Sequence, residues 1–234
     1  MSHQQSSQGK TCVPLADRRQ HLLEAKDALG ILRKKMTRPI RRFRQERPDL
    51  WLMRHGETVW NREGRLHGGL DARLTSRGER QAAWQAELTE NCDGQRFSSP
   101  QGRAVETARR VFLKRVFKMD PALSEVCIGG FAGHLLADLR RNSAEAFDGP
   151  PLSWYDRCPG GEGLQALELR CRSFLAGLDG PALIVTHGIT LRMLRLLALG
   201  RTIDRLAEGE MRQGVVYRIS AGACTILRHE EDRS

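Results

Sequence analysis

Short apolar runs alternate along the chain with longer stretches whose apolar residues recur every three or four positions. Residues 50–53 (Leu-Trp-Leu-Met) and 182–186 (Ala-Leu-Ile-Val-Thr) have the length and composition of buried strands, and 95–98 forms a short strand closed by Pro100. Helical spacing runs over 76–91, through Ala82, Ala83, Ala86 and Leu88, and over 104–117, through Val105, Ala108, Val111, Phe112 and Val116. A strand-like piece near 122–126 and a helix around 135–147 follow, then a Pro/Gly-rich loop from Gly149 to Gly161. Residues 164–178 are helical, and 189–199 form a helix closed by Gly200. Residues 215–220 and 223–227, joined at Gly222, read as a terminal hairpin. Strands separated by helices predict an α/β protein, a three-layer α/β/α sandwich with a mostly parallel central sheet.

The N-terminal fifth has a different character. Residues 1–12 are Ser/Gln-rich and too polar to bury a core, which predicts disorder. Residues 16–35 space Leu22, Leu23, Leu29 and Leu32 among basic residues, as an amphipathic helix does. Residues 1–50 hold 12 Lys+Arg against 5 Asp+Glu, and of the chain's totals of 38 and 28 this leaves 26 against 23 for the rest. The net charge of +10 therefore resides mostly in the arm, and the remainder is only mildly basic. Residues 1–48 are expected to be a basic extension and 49–234 a single domain. A solvated helix and a contact surface for a protein partner, nucleic acid or an acidic surface are both open for the arm, as is a translation start at Met36. The six cysteines are scattered, with no Cys-x-x-Cys pair and no secretory signal, so they are expected to be reduced thiols of a cytoplasmic protein. No apolar run is long enough to span a bilayer, and no membrane association is expected.

Two apolar strands end in histidine. Leu50–Met53 runs into Arg54-His55-Gly56, and 182–185 runs into Thr186-His187-Gly188. Open α/β sheets bind ligands at the carboxyl ends of such strands, where helix N-termini point backbone N–H groups into the crevice. Ser98-Ser99-Pro100 ends a third strand, placing Arg103 at a helix start with its guanidinium fork free to grip an anion. The alternatives are two structural histidines with satisfied hydrogen bonds and a solvated Arg103.

Taken together, these blocks resemble the histidine phosphatase superfamily, the phosphoglycerate mutase-like group of mutases and phosphatases. The similarity is carried by Arg54-His55-Gly56-Glu57-Thr58 with Asn61, by Gly64 to Gly68 with Asp71 and Leu74-Thr75, and by Ser98-Ser99-Pro100 with Arg103 and Thr107-Ala108. It continues through Leu123-Ser124-Glu125 with Gly129 and Gly133, Gly160-Gly161-Glu162, and Thr186-His187-Gly188. The resemblance implies a phosphoglycerate mutase-like fold in which His55 attacks phosphorus and becomes a phosphohistidine. Arg54 and Arg103 would hold the phosphoryl oxygens, His187 and the Gly188 N–H would donate to them, and Asn61 would add an amide donor. His67 and Gly68 would approach the substrate, although His67 stands where the family usually has glutamine. Glu125 would shuttle the proton; from the sequence alone it could equally be a solvated residue after a strand.

The implied activity is a metal-independent phosphatase acting on a small phosphorylated metabolite, with no cofactor; nucleic acid is not the expected partner. A phosphoglycerate mutase shares the pocket, but such mutases usually carry a longer segment with extra basic residues between the acid and the second histidine, whereas here that segment is comparatively short, with Arg140-Arg141 its only adjacent basic pair. A non-catalytic phospho-ligand binder is the third reading. Substrate choice is expected to lie in the loops 66–73 and 140–161.

Overall fold

The computed structural model describes residues 48–233; the polar run 1–12, the amphipathic stretch 16–35, the start at Met36 and nearly all of the basic extension lie outside the described residues. Six strands form one sheet: β1 (Leu50–Arg54), β2 (Gln95–Ser98), β3 (Lys118–Met119), β4 (Ala182–Thr186), β5 (Val216–Ser220) and β6 (Ala223–Leu227). Their order is β3-β2-β4-β1-β5-β6. The pairs β3/β2, β2/β4 and β4/β1 are parallel, while β1/β5 and β5/β6 are antiparallel.

Alternation along the strands builds two separate cores. Leu50, Leu52, Ala182, Ile184, Tyr217 and Ile219 face one side, where Leu164, Leu167, Cys171 and Phe174 of α6 (Gly163–Ala176) and Leu191 and Leu194 of α7 (Gly188–Ala198) cover them. Trp51, Met53, Leu183, Val185 and Val216 face the other, under Ala82 of α2 (Ser76–Leu88) and Ala104, Ala108 and Val111 of α3 (Gly102–Val111). The result is the three-layer α/β/α sandwich that the pattern predicts. Among the described residues no helix is long and apolar enough to cross a membrane.

Three local expectations need correction. Residues 122–126 are not a strand: Pro121 opens a 3-10 turn, Pro121–Leu123, and the Asp120 side chain accepts the Ala122 N–H at 2.8 Å, so the edge strand forms earlier at Lys118–Met119. The helix expected over 104–117 stops at Val111, because Leu113 takes a left-handed φ of 51° that no helix can contain. The helix expected over 135–147 is two pieces, α4 (Leu136–Asn142) and α5 (Ala144–Phe147), broken at Ser143, whose φ and ψ are −140° and 47°. The pattern also missed the one-turn helix α1 (Val59–Glu63). It is too short for periodicity, and a capping box between Thr58 and Asn61 holds it.

Chain direction sets the position of the site. β1 leads towards α2 on one face, and its neighbour β4 leads into α7 on the other, so the two loops part at their carboxyl ends and open a crevice. The β1 loop leaves it across the start of α2, backbone against backbone. A Cβ on Gly56 would lie 2.2 Å from the Gly78 carbonyl oxygen, and one on Gly78 would lie 2.1 Å from that of Glu57.

Candidate active site

Parallel pairing of β1 with β4 puts Arg54 opposite Thr186, and the His55 N–H continues the ladder to the Thr186 carbonyl at 2.9 Å. The two strand-end histidines therefore become neighbours, with ring centroids 5.1 Å apart. His55 is 2% exposed and His187 fully buried.

His55 is held in one tautomer. Its Nδ1 lies 2.8 Å from the Gly56 carbonyl, which can only accept, so Nδ1 carries the hydrogen and Nε2 keeps its lone pair. Arg103 Nε donates to that Nε2 at 3.3 Å. Burial, then the charges of Arg103 and Arg54, hold the His55 imidazole well below its usual pKa and keep it neutral. The same burial and cations act on His187. Ser99 Oγ shares a 2.7 Å hydrogen bond with His187 Nε2, while Nδ1 has no hydrogen-bond partner among the described residues.

Arg103 is placed differently from the sequence expectation of a free fork. Its Nη1 donates to the Leu70 carbonyl at 2.7 Å and to Asp71 Oδ1 at 2.9 Å, and its Nη2 to the Gly68 carbonyl at 3.2 Å. These acceptors pin the guanidinium so that Nε points at His55. Asp71 also accepts the N–H groups of Gly102 at 2.6 Å and Arg103 at 3.1 Å, capping α3 from a distant loop. Burial raises its carboxyl pKa, but these N–H groups and the Arg103 guanidinium outweigh that and hold it low. Arg54 donates from Nη1 to the Met211 carbonyl at 3.1 Å, and its buried Nε has no partner among the described residues.

Glu125 enters from the turn after Pro121–Leu123 and reaches the start of α7. Its Oε1 accepts from Thr190 N and Thr190 Oγ1, each at 3.2 Å, and its Oε2 from Ile189 N at 3.3 Å. Gly188 passes beneath: a Cβ there would sit 3.5 Å from Arg54 Cζ and 3.7 Å from Glu125 Oε2. Asn61 serves the α1 cap, its Oδ1 accepting from Thr58 N and Gln213 Nε2, each at 3.1 Å, which leaves its Nδ2 donor to offer. His67 Nε2 shares a 2.8 Å bond with Thr58 Oγ1, and burial with the nearby Arg103 and Arg54 charges takes its pKa down to about 4.

Arg54, His55, Asn61, His67, Gly68, Arg103, Glu125 and Gly188 thus line one cavity of about 270 Å³, with His187 buried beside His55 rather than on the wall. Two supports were invisible in the sequence. Gln101 joins three loops, donating to the Gly68 carbonyl and accepting from Glu125 N and Arg103 Nη2. Gln213, 158 residues from His55, donates to the His55 carbonyl at 3.0 Å. No local pattern marks a glutamine for such a position. Thr107 was legible only as part of a motif; its Oγ1 accepts the Gly56 N–H and donates to the Arg103 carbonyl.

The family model of the histidine phosphatase superfamily (branch 1) matches residues 50–230, and the chain belongs to that superfamily. It is 31% identical over 177 residues to the adenosylcobalamin/alpha-ribazole phosphatase of Escherichia coli (strain K12), covering 70% of this chain and 86% of that protein. It is 30% identical over 180 residues to the probable phosphoglycerate mutase GpmB of Enterobacter sp. (strain 638), covering 70% and 79%. The structure of a mycobacterial glucosyl-3-phosphoglycerate phosphatase with VO3 superposes with a TM-score of 0.66 at 27% identity, over 74% of this chain and 92% of that one.

Proposed function

We propose that this superfamily member is a phosphatase that hydrolyses phosphomonoesters through a phosphohistidine on His55, with 49–234 as its catalytic domain. The observation that carries the reading is the His55 ring on the cavity wall, whose Nδ1–H is tied to Gly56 while Nε2 is unprotonated and, among the described residues, accepts only from Arg103 Nε, a bond that gives way as the lone pair turns to phosphorus. A neutral imidazole with a directed lone pair is what attack on phosphorus requires.

In the first step Nε2 bonds to phosphorus, the bond from phosphorus to the ester oxygen breaks, and Glu125 gives its proton to the departing alkoxide. In the second, a water oxygen attacks phosphorus, Glu125 takes the water's proton, and the P–N bond breaks to return neutral His55 and inorganic phosphate. Phosphoryl transfer depends chiefly on positioning and on charge stabilisation. The scheme gives that work to Arg54 and Arg103, with His187 Nδ1, Asn61 Nδ2 and the Gly188 N–H as further donors to the phosphoryl oxygens, rather than to a metal. His67 and Gly68 border the same space.

Hydrolysis is favoured over a mutase because Arg140 and Arg141 are exposed and off the cavity wall, Arg141 being paired with Asp138. A mutase must hold a bisphosphorylated intermediate while it turns, which calls for free cations on the wall; the arginines there besides Arg54 and Arg103 are Arg65, which spends donors on Glu63 and the Gly133 carbonyl, and Arg192, whose Nη1 faces the carbonyls of residues 206–209. The test uses an aryl phosphate labelled at phosphorus, with an alkaline quench under which a P–N bond survives. Label should be trapped on the wild type and not on His55→Ala, with release of inorganic phosphate. Full activity of His55→Ala defeats the nucleophile assignment; rapid interconversion of 3- and 2-phosphoglycerate with negligible phosphate release defeats the choice of hydrolysis.

A further inference from the structure

Besides the polar groups already named, the cavity is lined by Leu66, Val126, Ile128, Leu152, Tyr155 and Ile189. They are rigidly backed. Tyr155 stacks on Trp154 with centroids 3.8 Å apart, and Trp154 packs on Phe147 at 5.2 Å, which stacks on Phe131 at 6.0 Å. Arg157 closes the same loop by donating from Nε to the Ala146 carbonyl at 2.9 Å and from Nη2 to Ser153 Oγ at 3.0 Å.

Two arginines also touch these walls, and both direct hydrogen bonds elsewhere. Arg65 pairs with Glu63 at 3.3 Å, donates to the Gly133 carbonyl at 2.7 Å and lies over the Trp60 ring at 5.7 Å. Arg192 turns Nη1 to the carbonyls of Leu206, Ala207, Glu208 and Gly209, at 2.8 to 3.4 Å. A second anionic group on the substrate would be stripped of water against aliphatic side chains. An apolar or aromatic group in the same place would gain by leaving water.

We propose that the group esterified to the phosphate is an uncharged, apolar or aromatic alcohol, seated in the subsite of Leu66, Val126, Ile128, Leu152, Tyr155 and Ile189. The inference rests on the phosphatase reading for its chemistry, but the subsite can be measured without turnover. Leu152 is a half-buried handle on it. It holds a left-handed backbone, φ 70° and ψ −4°, which asparagine adopts more readily than leucine, so Leu152→Asn removes the apolar surface without adding backbone strain.

The experiment compares three non-hydrolysable phosphonates by calorimetry on the full chain: methylphosphonate, benzylphosphonate and 2-carboxyethylphosphonate. Benzylphosphonate should bind about tenfold or more tighter than methylphosphonate, and the carboxylate analogue no tighter than methylphosphonate. Leu152→Asn should shrink the benzyl advantage about threefold or more and leave methylphosphonate unchanged, while Leu152→Met should keep the advantage. Tighter binding of the carboxylate analogue than of the benzyl one, lost in Arg192→Met, would overturn the proposal, as would equal binding of the benzyl and methyl analogues. Phosphate release from phenyl phosphate is followed separately. A benzyl advantage without any release removes the phosphatase reading and leaves the subsite standing; release without a benzyl advantage does the reverse. Failure of all three phosphonates to bind removes both.

Discussion

Nε of Arg103 lies 3.3 Å from Nε2 of His55, while the Gly56 carbonyl holds the opposite ring nitrogen at 2.8 Å. One contact keeps the proton off the attacking nitrogen, and the other keeps it on the far side. Asp71 and the carbonyls of Gly68 and Leu70 hold the guanidinium in that pose. The reactivity of His55 therefore depends, through Arg103, on the loop residues Gly68, Leu70 and Asp71.

That dependence gives an ordered pair of substitutions. Arg103→Lys, which removes the Nε donor and the planar fork, should lower kcat/KM by about 10² or more. Asp71→Asn keeps the guanidinium but weakens its anchor and the α3 cap, and should cost about tenfold in kcat/KM and about 1 kcal/mol of stability. Steady-state kinetics and urea denaturation of both variants check the order, and a larger catalytic loss in Asp71→Asn would contradict it.

The buried imidazoles make stability depend on pH. Burial first, and the Arg103 and Arg54 charges next, lower His55 and His67, His67 to about 4; for His187 burial and Arg103 act first. Below pH ~6.5 the unfolded chain protonates these histidines and the folded one does not. The unfolded state then binds more protons, so stability is complete above about pH 6.5 and falls as pH drops towards the folded values. The slope is about 1.4 kcal/mol per pH unit for each histidine held neutral. Denaturation midpoints at pH 7.5, 6.0 and 5.0 should fall in that order, and His67→Gln should make the decline shallower. A flat profile would mean that the histidines are not held neutral.

Glu125→Gln keeps the shape of the side chain and removes the transferable proton. With an alkyl phosphate, whose alkoxide needs that proton to leave, kcat should fall by about 10² to 10⁴. With p-nitrophenyl phosphate, which departs as a stabilised phenolate, formation of the phosphohistidine should be much less affected, and a burst of nitrophenol should precede slow turnover. Equal losses for both substrates in the first step would take the acid role away from Glu125.

Gly78 is required by contact rather than by turn geometry. Its Cβ would lie 2.1 Å from the Glu57 carbonyl oxygen, so Gly78→Ala must push the β1 loop away from α2. Overpacking of this kind costs about 1 to 3 kcal/mol, and the displaced loop carries His55 and Asn61. Gly64→Ala is the control at a site with no neighbour within 4 Å but a left-handed φ of 73°. It should lose stability to backbone strain while keeping more of the activity. Equal kcat/KM in wild type and Gly78→Ala would show that the loop tolerates the shift.

Much of the fold was legible because strands such as Leu50–Arg54 and Ala182–Thr186 are buried on both faces and read as continuous apolar runs. Helix ends were less so. The pattern through Phe112 and Val116 continued past the helix, since those residues follow helical spacing while the backbone at Leu113 has already turned left-handed. In the site, Arg54, His55, Asn61, Glu125 and Gly188 could be named from motifs and do share one cavity. The free fork expected of Arg103 was wrong, because the acceptors that occupy it, in Gly68, Leu70 and Asp71, lie more than thirty residues away.

The sequence by itself determined the endings of β1 and β4, the polar and apolar faces of the helices and the chemical identity of the groups at those strand tips, since each depends on neighbours within one or two turns. Only the tertiary structure decided that β1 and β4 lie side by side with Arg54 opposite Thr186, that Gln101 and Gln213 brace the loops, and that Tyr155 walls the cavity. Those contacts join residues from 24 to 158 positions apart. They form only when burial of the two sheet faces brings the strand ends together, and no local periodicity records which distant partner will be there.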